Sequence, residues 1–477
     1  MIKDIVETTD SQREADVCIV GAGAAGILLA LELMEASRSV ILLEGGGLTQ
    51  DLHAQALYDL ESPLLPVGKD SRVRVFGGTT SVWTGGWKLL ERDDLTVRDW
   101  MPLSGWPVSY AEMELLYDRA ARRVCGPSTV DIAAVTHAQA AVDFSKRITE
   151  SGALETTVLW ELPERARDFG KVFRAALEAS PAVRIFLNAN VTRIERDVSR
   201  VRSLHIKTLE GRDFNVKASK YVIACGGIEN ARLLLASGIG NEHDQVGRYY
   251  MDHPKGTVGA IAADDYSLYS HVITQQRREA GTLITGFQLS PAFRSARKLP
   301  NCYVQMRPIY GKQSLPSRAM HKFFGVPYPV RGVRLRTFME QVPSPRSRVV
   351  LGDARDAFGN PLARVEWSLS ELDKEGARAL HLVVQGELAR AGLGTLTSEI
   401  VDHPEPWPIT KDASHHMGTT RMGADPHTSV VDPDCRVHGV NNLFIAGSSV
   451  FPTGGNANPT ATILALAVRL ADHIKTI

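Results

Sequence analysis

The sequence predicts a two-part α/β protein. One part is a mostly parallel sheet wound with helices, and the other is an inserted α+β region built on an antiparallel sheet. Three observations predict it. "DVCIVGAGAAGILLALELMEASRSVILLEGG" near the start reads as strand, Gly-rich turn, helix, strand, acid. "SKYVIACGGIENARLLLASG" (219–238) repeats the strand, Gly-turn and helix grammar and adds a strand to the same sheet. From about Gly256 to Ile400 the pattern changes to short alternating strands followed by a long helix, Glu371 to Ala391. A chain of 477 residues also exceeds the size of one compact core. The predicted division gives 1–100, 181–255 and 430–477 to the first domain, and 101–180 and 256–429 to the second.

The opening unit specifies its own chemistry. Val17 to Val20 is a β-branched run suited to a buried parallel strand. Gly21 permits the tight turn, Gly23 lets backbone approach a pyrophosphate, and Gly26 lets helix and strand pack closely. The start of the following helix presents its free N–H groups to the phosphates. Glu44, at the end of the second strand, can accept both hydroxyls of an adenosine ribose and disfavours a 2′-phosphate. The unit is a Rossmann-like dinucleotide site, for FAD or NAD; the glycines Gly45 to Gly47 after the acid tilt it to FAD.

Arg72 to Leu90 is a second Gly-rich stretch, with Gly77, Gly78, Thr79, Thr80, Ser81 and Thr84. Small residues with many N–H and O–H groups suit a loop against phosphates or a flavin edge; an ordinary surface loop has the same composition. Ser104 to Gly126 reads as an amphipathic helix with Ser109 as cap and Glu112 three residues on. Val183 to Asp197 and Val201 to Gly211 read as a hairpin or meander. "TLITGFQLS", "NCYVQMRPIYG", "VRLRTFMEQV", "SRVVLG" and "LARVEWSLS" are the strands of the antiparallel region. Near the end, Val431 to Pro452 gives two short strands and a turn, then a helix begins near Thr460, behind the Gly454-Gly455 turn.

Composition excludes several classes. Lys plus Arg equals Asp plus Glu at 54 each, which offers no field for nucleic acid or anionic lipid. The five cysteines are scattered and never spaced as CxxC, against a disulfide scaffold, a zinc ribbon or a redox dithiol. No apolar run approaches a membrane span. The polar, acidic start lacks a secretion pattern, so a cytoplasmic location is expected.

The chain resembles the glucose–methanol–choline (GMC) oxidoreductases, flavoenzymes that oxidise alcohols. The resemblance runs the whole length and is most specific at GAGAAG with Glu44, at the Gly77 loop, at "ACGGIENARLLLASG" and in the last 64 residues. "HHMGTTRMG" and "GGNANPT" look closest to the pyranose oxidase branch. It implies FAD as cofactor, a sugar, glycoside, cyclitol or related polyol as substrate, and O2 or another electron acceptor. No metal is needed. The H-x-x-G-T motif puts the base at His415, with the adjacent His416 as alternative, and N-P-T puts its partner at Asn458. His415 would take the hydroxyl proton while hydride passes to flavin N5, and Asn458 would orient the oxygen. The implied cofactor set is Gly21, Gly23, Ala24, Ala25, Gly26, Glu44, Gly77, Gly78, Thr79, Ser81, Val82, Trp83, Thr84, Val191, Ala224, Gly447, Ser448, Asn458, Pro459 and Thr460.

Two departures from the family pattern stand out. Val82 takes the position where pyranose oxidases attach FAD through a His, so FAD is expected to be non-covalent. Gly447, Ser448 and Ser449 stand where many members have an Asp. On the inserted sheet, Tyr303, Gln305 and Arg307 alternate and share one face, with Gln288 nearby. That face lines a substrate pocket or is solvated. His253 in "VGRYYMDHP" reads first as a structural His at a domain junction, and otherwise as a group supporting the catalytic residues or touching the substrate. Competing functions are an amine-oxidising or C–C-oxidising flavoenzyme, a tailoring dehydrogenase of glycosylated natural products, and a non-catalytic flavin-binding subunit.

Overall fold

The computed structural model describes residues 1–477 except 37, 126–138, 270–275, 279–280, 312–313 and 325–327. Its first sheet orders the strands Ile2–Asp4, Val183–Leu187, Val40–Leu43, Glu14–Val20 and Asp213–Ile223, all parallel. Leu443–Ile445 adds to Asp213–Ile223, also parallel. Continuous β-branched and leucine runs suit these strands because both faces are covered. The helices Ala24–Met34 and Thr460–Thr476 pack together, and Tyr110–Cys125 lies against Thr460–Thr476. Ser109 caps the Tyr110–Cys125 helix: its Oγ accepts the N–H of Glu112 at 3.2 Å. Glu112 accepts from Arg469 rather than closing a capping box.

Four strands end together. Val20, Leu43, Ile223 and Ile445 are followed by Gly21, Glu44, Ala224 and the Ala446-Gly447 turn, so the residues after the strands share one crevice. Ligands of open α/β sheets bind there, because loops diverge above the carboxyl ends of the strands.

The second sheet is antiparallel: Thr395–Ser398, Lys255–Ala262, Val330–Phe338, Tyr303–Tyr310, Gly281–Leu289, Leu154–Glu161 and Gly86–Trp87, with Gln276–Arg278 paired to Gly281–Leu289. Helix Glu371–Arg390 covers it with Ala377, Leu380, Val384 and Leu388, in one core with Phe287, Val304 and Leu335. Ser370 and Asp373 close a capping box at its start. The edge strand Gly86–Trp87 grows directly out of the Gly77 loop and ties the first crevice to the second sheet.

Three strand expectations are corrected. Val183 to Asp197 is not one strand: it breaks at Asn188, which takes a positive φ, into a parallel strand and Asn190–Arg196, which pairs with Val201–Lys207. "SRVVLG" and "LARVEWSLS" leave the large antiparallel sheet. Arg348–Arg355 and Pro361–Glu366 form a hairpin extended by Leu60–Glu61, and its apolar residues Val349, Ala363 and Val365 join the core of the first sheet. Of the two strands expected after Val431, only Leu443–Ile445 forms; the other pairs through single bridges.

The opening turn is crowded on one side only. A Cβ on Gly26 would sit 1.9 Å from the Gly21 carbonyl oxygen, whereas one on Gly23 would meet nothing within 4 Å. Gly26→Ala is therefore expected to destabilise the fold by ~1–3 kcal/mol and to lower bound flavin per chain. Chemical denaturation and flavin absorbance check both, and unchanged values would contradict the packing argument.

Candidate active site

The cofactor crevice is built from the strand ends. Gly21 takes φ +101°, and a Cβ there would lie 2.6 Å from the Ala224 carbonyl, so only glycine fits between the two strands. Glu44 Oε2 accepts the Ala22 N–H at 3.0 Å and Oε1 the Gly46 N–H at 2.8 Å. Burial raises its pKa, opposed by those N–H groups and by Arg74. Glu44, Gly21, Val191 and Glu229 line one pocket, together with Phe358 and Asn360 from the 348–366 hairpin. Those two residues carry no motif.

The Gly77 loop folds onto the same crevice. The Gly77 N–H donates to the Ala22 carbonyl at 2.9 Å, and Gly78 packs on Gly23. Gly78–Ser81 is a short 3-10 turn closed by Ser81 Oγ on the Gly78 carbonyl, while Thr79 accepts the Val82 and Trp83 N–H groups. Trp83 donates from Nε1 to Arg167. Val82 and Thr84 are exposed. Neither the Ala24–Met34 helix nor the Thr460–Thr476 helix, whose cap is Pro459, has a side-chain cap. Uncapped N-termini favour anionic groups. Together with the open space at Gly23, they fit a dinucleotide pyrophosphate and a flavin ring. Gly447 also faces open space, and Ser448 Oγ donates to the His416 carbonyl at 2.6 Å.

His415 and Asn458 meet: Asn458 Nδ2 lies 3.3 Å from His415 Nε2. On its other side His415 Nδ1 is 2.9 Å from His253 Nδ1, and His253 Nε2 is 2.9 Å from the Gly455 carbonyl. The chain of bonds dictates the tautomers. A carbonyl only accepts, so His253 carries its proton on Nε2 and offers a lone pair at Nδ1. His415 then donates from Nδ1, which leaves the lone pair of Nε2 beside the Asn458 amide. Burial pushes the His253 pKa down to about 4. Burial, then His253, Lys255 and His416, hold His415 well below the ordinary imidazole value. Both rings are neutral at pH 7.

Asp252 fixes both backbones. Its Oδ1 accepts from His253 N at 2.6 Å and Ala413 N at 2.8 Å, and its Oδ2 accepts from His415 N at 3.1 Å. Burial raises its pKa to about 6. His416 turns away from Asn458. Its Nε2 lies 3.9 Å from Asp252 and 3.8 Å from Asp412 with no hydrogen bond, and its ring stacks on Tyr250. One side-chain atom from each of Asp252, Asp412 and His416 lies within 4.8 Å of the others.

The predicted face of Tyr303, Gln305 and Arg307 is real, since Arg307 donates to Gln305 at 2.6 Å and Gln305 to Tyr303 at 3.4 Å. It is not a solvated face at its inner end: Tyr303 and Gln305 are buried and only Arg307 is half-exposed. The face reaches the site through Lys88, which sits 4.4 Å above the Tyr303 ring and donates to Asn456, two residues before Asn458. Burial pushes the Lys88 pKa down to about 8. Lys88 and Asp252 escaped sequence reasoning, and His253 entered it only as the alternative to a structural His. The adjacent Asp252-His253 pair was the available signal.

Family models for GMC oxidoreductase match residues 39–255 and 343–467. The chain belongs to the GMC oxidoreductases. It is 26% identical to 2-methyl-1,2-propanediol dehydrogenase of Mycolicibacterium austroafricanum, over 98% of this chain and 96% of that one. It is 26% identical to the fructose dehydrogenase large subunit of Gluconobacter japonicus, over 96% and 97%. It is also 26% identical to 6'''-hydroxyparomomycin C oxidase of Streptomyces lividus, over 99% and 94%. Among solved structures it is similar to pyridoxine 4-oxidase from Mesorbium loti, with a TM-score of 0.64 and 19% identity over 96% of this chain and 99% of that one. This GMC oxidoreductase thus has the FAD-binding and substrate-side architecture that its sequence predicts. Among the described residues, no helix is long and apolar enough to cross a membrane.

The hydrogen-bond chain yields a testable consequence. His253→Phe removes the acceptor of His415 Nδ1–H and is expected to lower kcat on the order of a hundredfold, since an orienting partner selects the productive tautomer. Flavin content should be retained. Unchanged kcat in a correctly loaded variant would remove His253 from the mechanism.

Proposed function

We propose that this GMC oxidoreductase oxidises a CH–OH group of a sugar, glycoside, cyclitol or related polyol, with His415 as general base. The observation that carries the reading is the lone pair of His415 Nε2 beside the Asn458 amide, 3.3 Å away. Gly21, Gly23, Gly26, Glu44 and the Gly77 loop would hold FAD non-covalently in the crevice, where it would supply the hydride acceptor. His415 Nε2 takes the hydroxyl proton. Asn458 donates to the same oxygen and orients the carbinol. The His253 ring keeps Nδ1 of His415 protonated, so Nε2 is the basic atom throughout. The second sheet forms the substrate side, with Tyr303, Gln305 and Arg307 as polar liners, and 1–100, 181–255 and 430–477 form the FAD side. Relatives named for propanediol, fructose and paromomycin derivatives support a small polyhydroxylated substrate and electron delivery to O2 or another acceptor. The paired His and Asn support the pyranose oxidase-like branch.

The experiment is anaerobic titration against a panel of sugars, glycosides and cyclitols, following the flavin band. One substrate class should bleach it, and His415→Ala should slow that bleaching by ~10²–10⁴-fold. Undiminished bleaching in the variant would reassign the base. The kcat/KM profile adds a check with a definite sign. The base works unprotonated and its pKa is lowered, so activity should hold through neutral pH and fall only on the acid side of ~6.5. An acid limb above that value would contradict a depressed His415.

A further inference from the structure

The neutral balance of the whole chain conceals a strong local asymmetry. From residue 280 to residue 339 the sequence carries ten Lys and Arg and no Asp or Glu, which leaves the rest of the chain acidic. This stretch includes the strands Tyr303–Tyr310 and Val330–Phe338 and, at their outer end, the helix Leu315–Phe324. Arg294 within it is buried against Glu91, and Lys298 lies 3.8 Å from Asp99. Arg318, Arg331 and Arg334 face solvent, and among the described residues none of the three forms an ion pair.

Unlike a core-packing helix, this one leaves its apolar half in solvent. Ser314 starts it, accepting the Ser317 N–H on Oγ at 3.3 Å. At 100° per residue, Leu315, Pro316, Ala319, Met320, Phe323 and Phe324 fill one half and Ser317 and Arg318 begin the other. The apolar half faces outward: Leu315 is 82% exposed, Phe323 71%, Phe324 74% and Met320 46%. Ile309 and Tyr310, at the tip of the neighbouring strand, are exposed beside Arg331. A soluble surface rarely presents two adjacent phenylalanines with a leucine and a methionine unless something covers them.

We propose that this tip is a docking surface for an anionic phospholipid bilayer. The helix would lie in the headgroup region with Phe323, Phe324, Leu315 and Met320 inserted, and Arg318, Arg331 and Arg334 on the lipid phosphates. Charge selects the occupant. A second copy of the chain would bring an equally cationic tip against this one, whereas an anionic surface satisfies the apolar half and the unpaired guanidinium groups together. The proposal departs from the expectation drawn from net charge because the cationic run is local. No part of the helix spans the bilayer, so peripheral attachment is the form of binding.

The test is co-sedimentation of the purified full-length chain with vesicles of phosphatidylcholine alone and of phosphatidylcholine mixed with phosphatidylglycerol. Binding is expected only to the mixed vesicles and should weaken with added salt. The pair F323S and F324S should lower the partition coefficient ~tenfold or more, and the pair R318E and R331E should do the same. Bound flavin and oxidation of a soluble polyol should be unchanged in both. No binding to the mixed vesicles, or binding that neither pair reduces, overturns the proposal. Sedimentation velocity on the same variants adds an arm. An oligomer that F323S and F324S convert to monomer, with no vesicle binding, would assign the tip to contact between copies and likewise overturn it.

Discussion

The site hangs on one peptide unit on each side of Gly455. Its N–H donates to Glu340 at 3.1 Å, and its carbonyl accepts His253 Nε2–H at 2.9 Å. Glu340 is buried at the end of an antiparallel strand and forked by Arg98, at 2.8 and 2.7 Å. Gly455 takes φ +55°, and a Cβ there would lie 2.6 Å from Asp94. Breaking a buried pair such as Arg98 with Glu340 costs ~3–5 kcal/mol, because one charge is left stranded. The turn is therefore held from the second sheet, and through its carbonyl it sets the tautomer of His253. That in turn sets which nitrogen of His415 is basic.

This arrangement explains why neither sheet alone could form the site. The parallel sheet supplies the crevice above Val20, Leu43, Ile223 and Ile445 and the uncapped helix ends. The antiparallel sheet supplies Glu340, Tyr303 and Gln305. Lys88 directly follows the strand that joins them and reaches Asn456 and the Tyr303 ring together. Asp252 performs a similar joining role in the backbone, with one carboxylate accepting from both the 253 and the 413–415 segments. Burial strips water from these groups, so each polar atom is held by a protein partner or becomes reactive.

Much of this was legible in the chain because it depends on local chemistry. Gly21, Gly23 and Gly26 act within one turn, and the acid at Glu44 follows its strand at a fixed distance. The pattern therefore carries the crevice without any knowledge of the fold. The H-x-x-G-T and N-P-T motifs likewise name His415 and Asn458. Periodicity failed where packing chose the partner strand. Arg348–Arg355 has the alternation of a half-buried strand whichever sheet it joins, and it joins Leu60–Glu61 through its hairpin partner Pro361–Glu366.

By itself, then, the sequence determined the family, the nucleotide crevice and the two residues, His415 and Asn458, that meet in the site, since these rest on residue types at short fixed spacings. Tertiary structure decided which ring nitrogen of His415 is free, that the His253 ring rather than that of His416 bonds to it, and that Lys88 stands over the Tyr303 ring. Those are contacts between segments up to 368 residues apart, as between Lys88 and Asn456. No local pattern encodes a hydrogen bond whose donor and acceptor meet only when two sheets close on one turn.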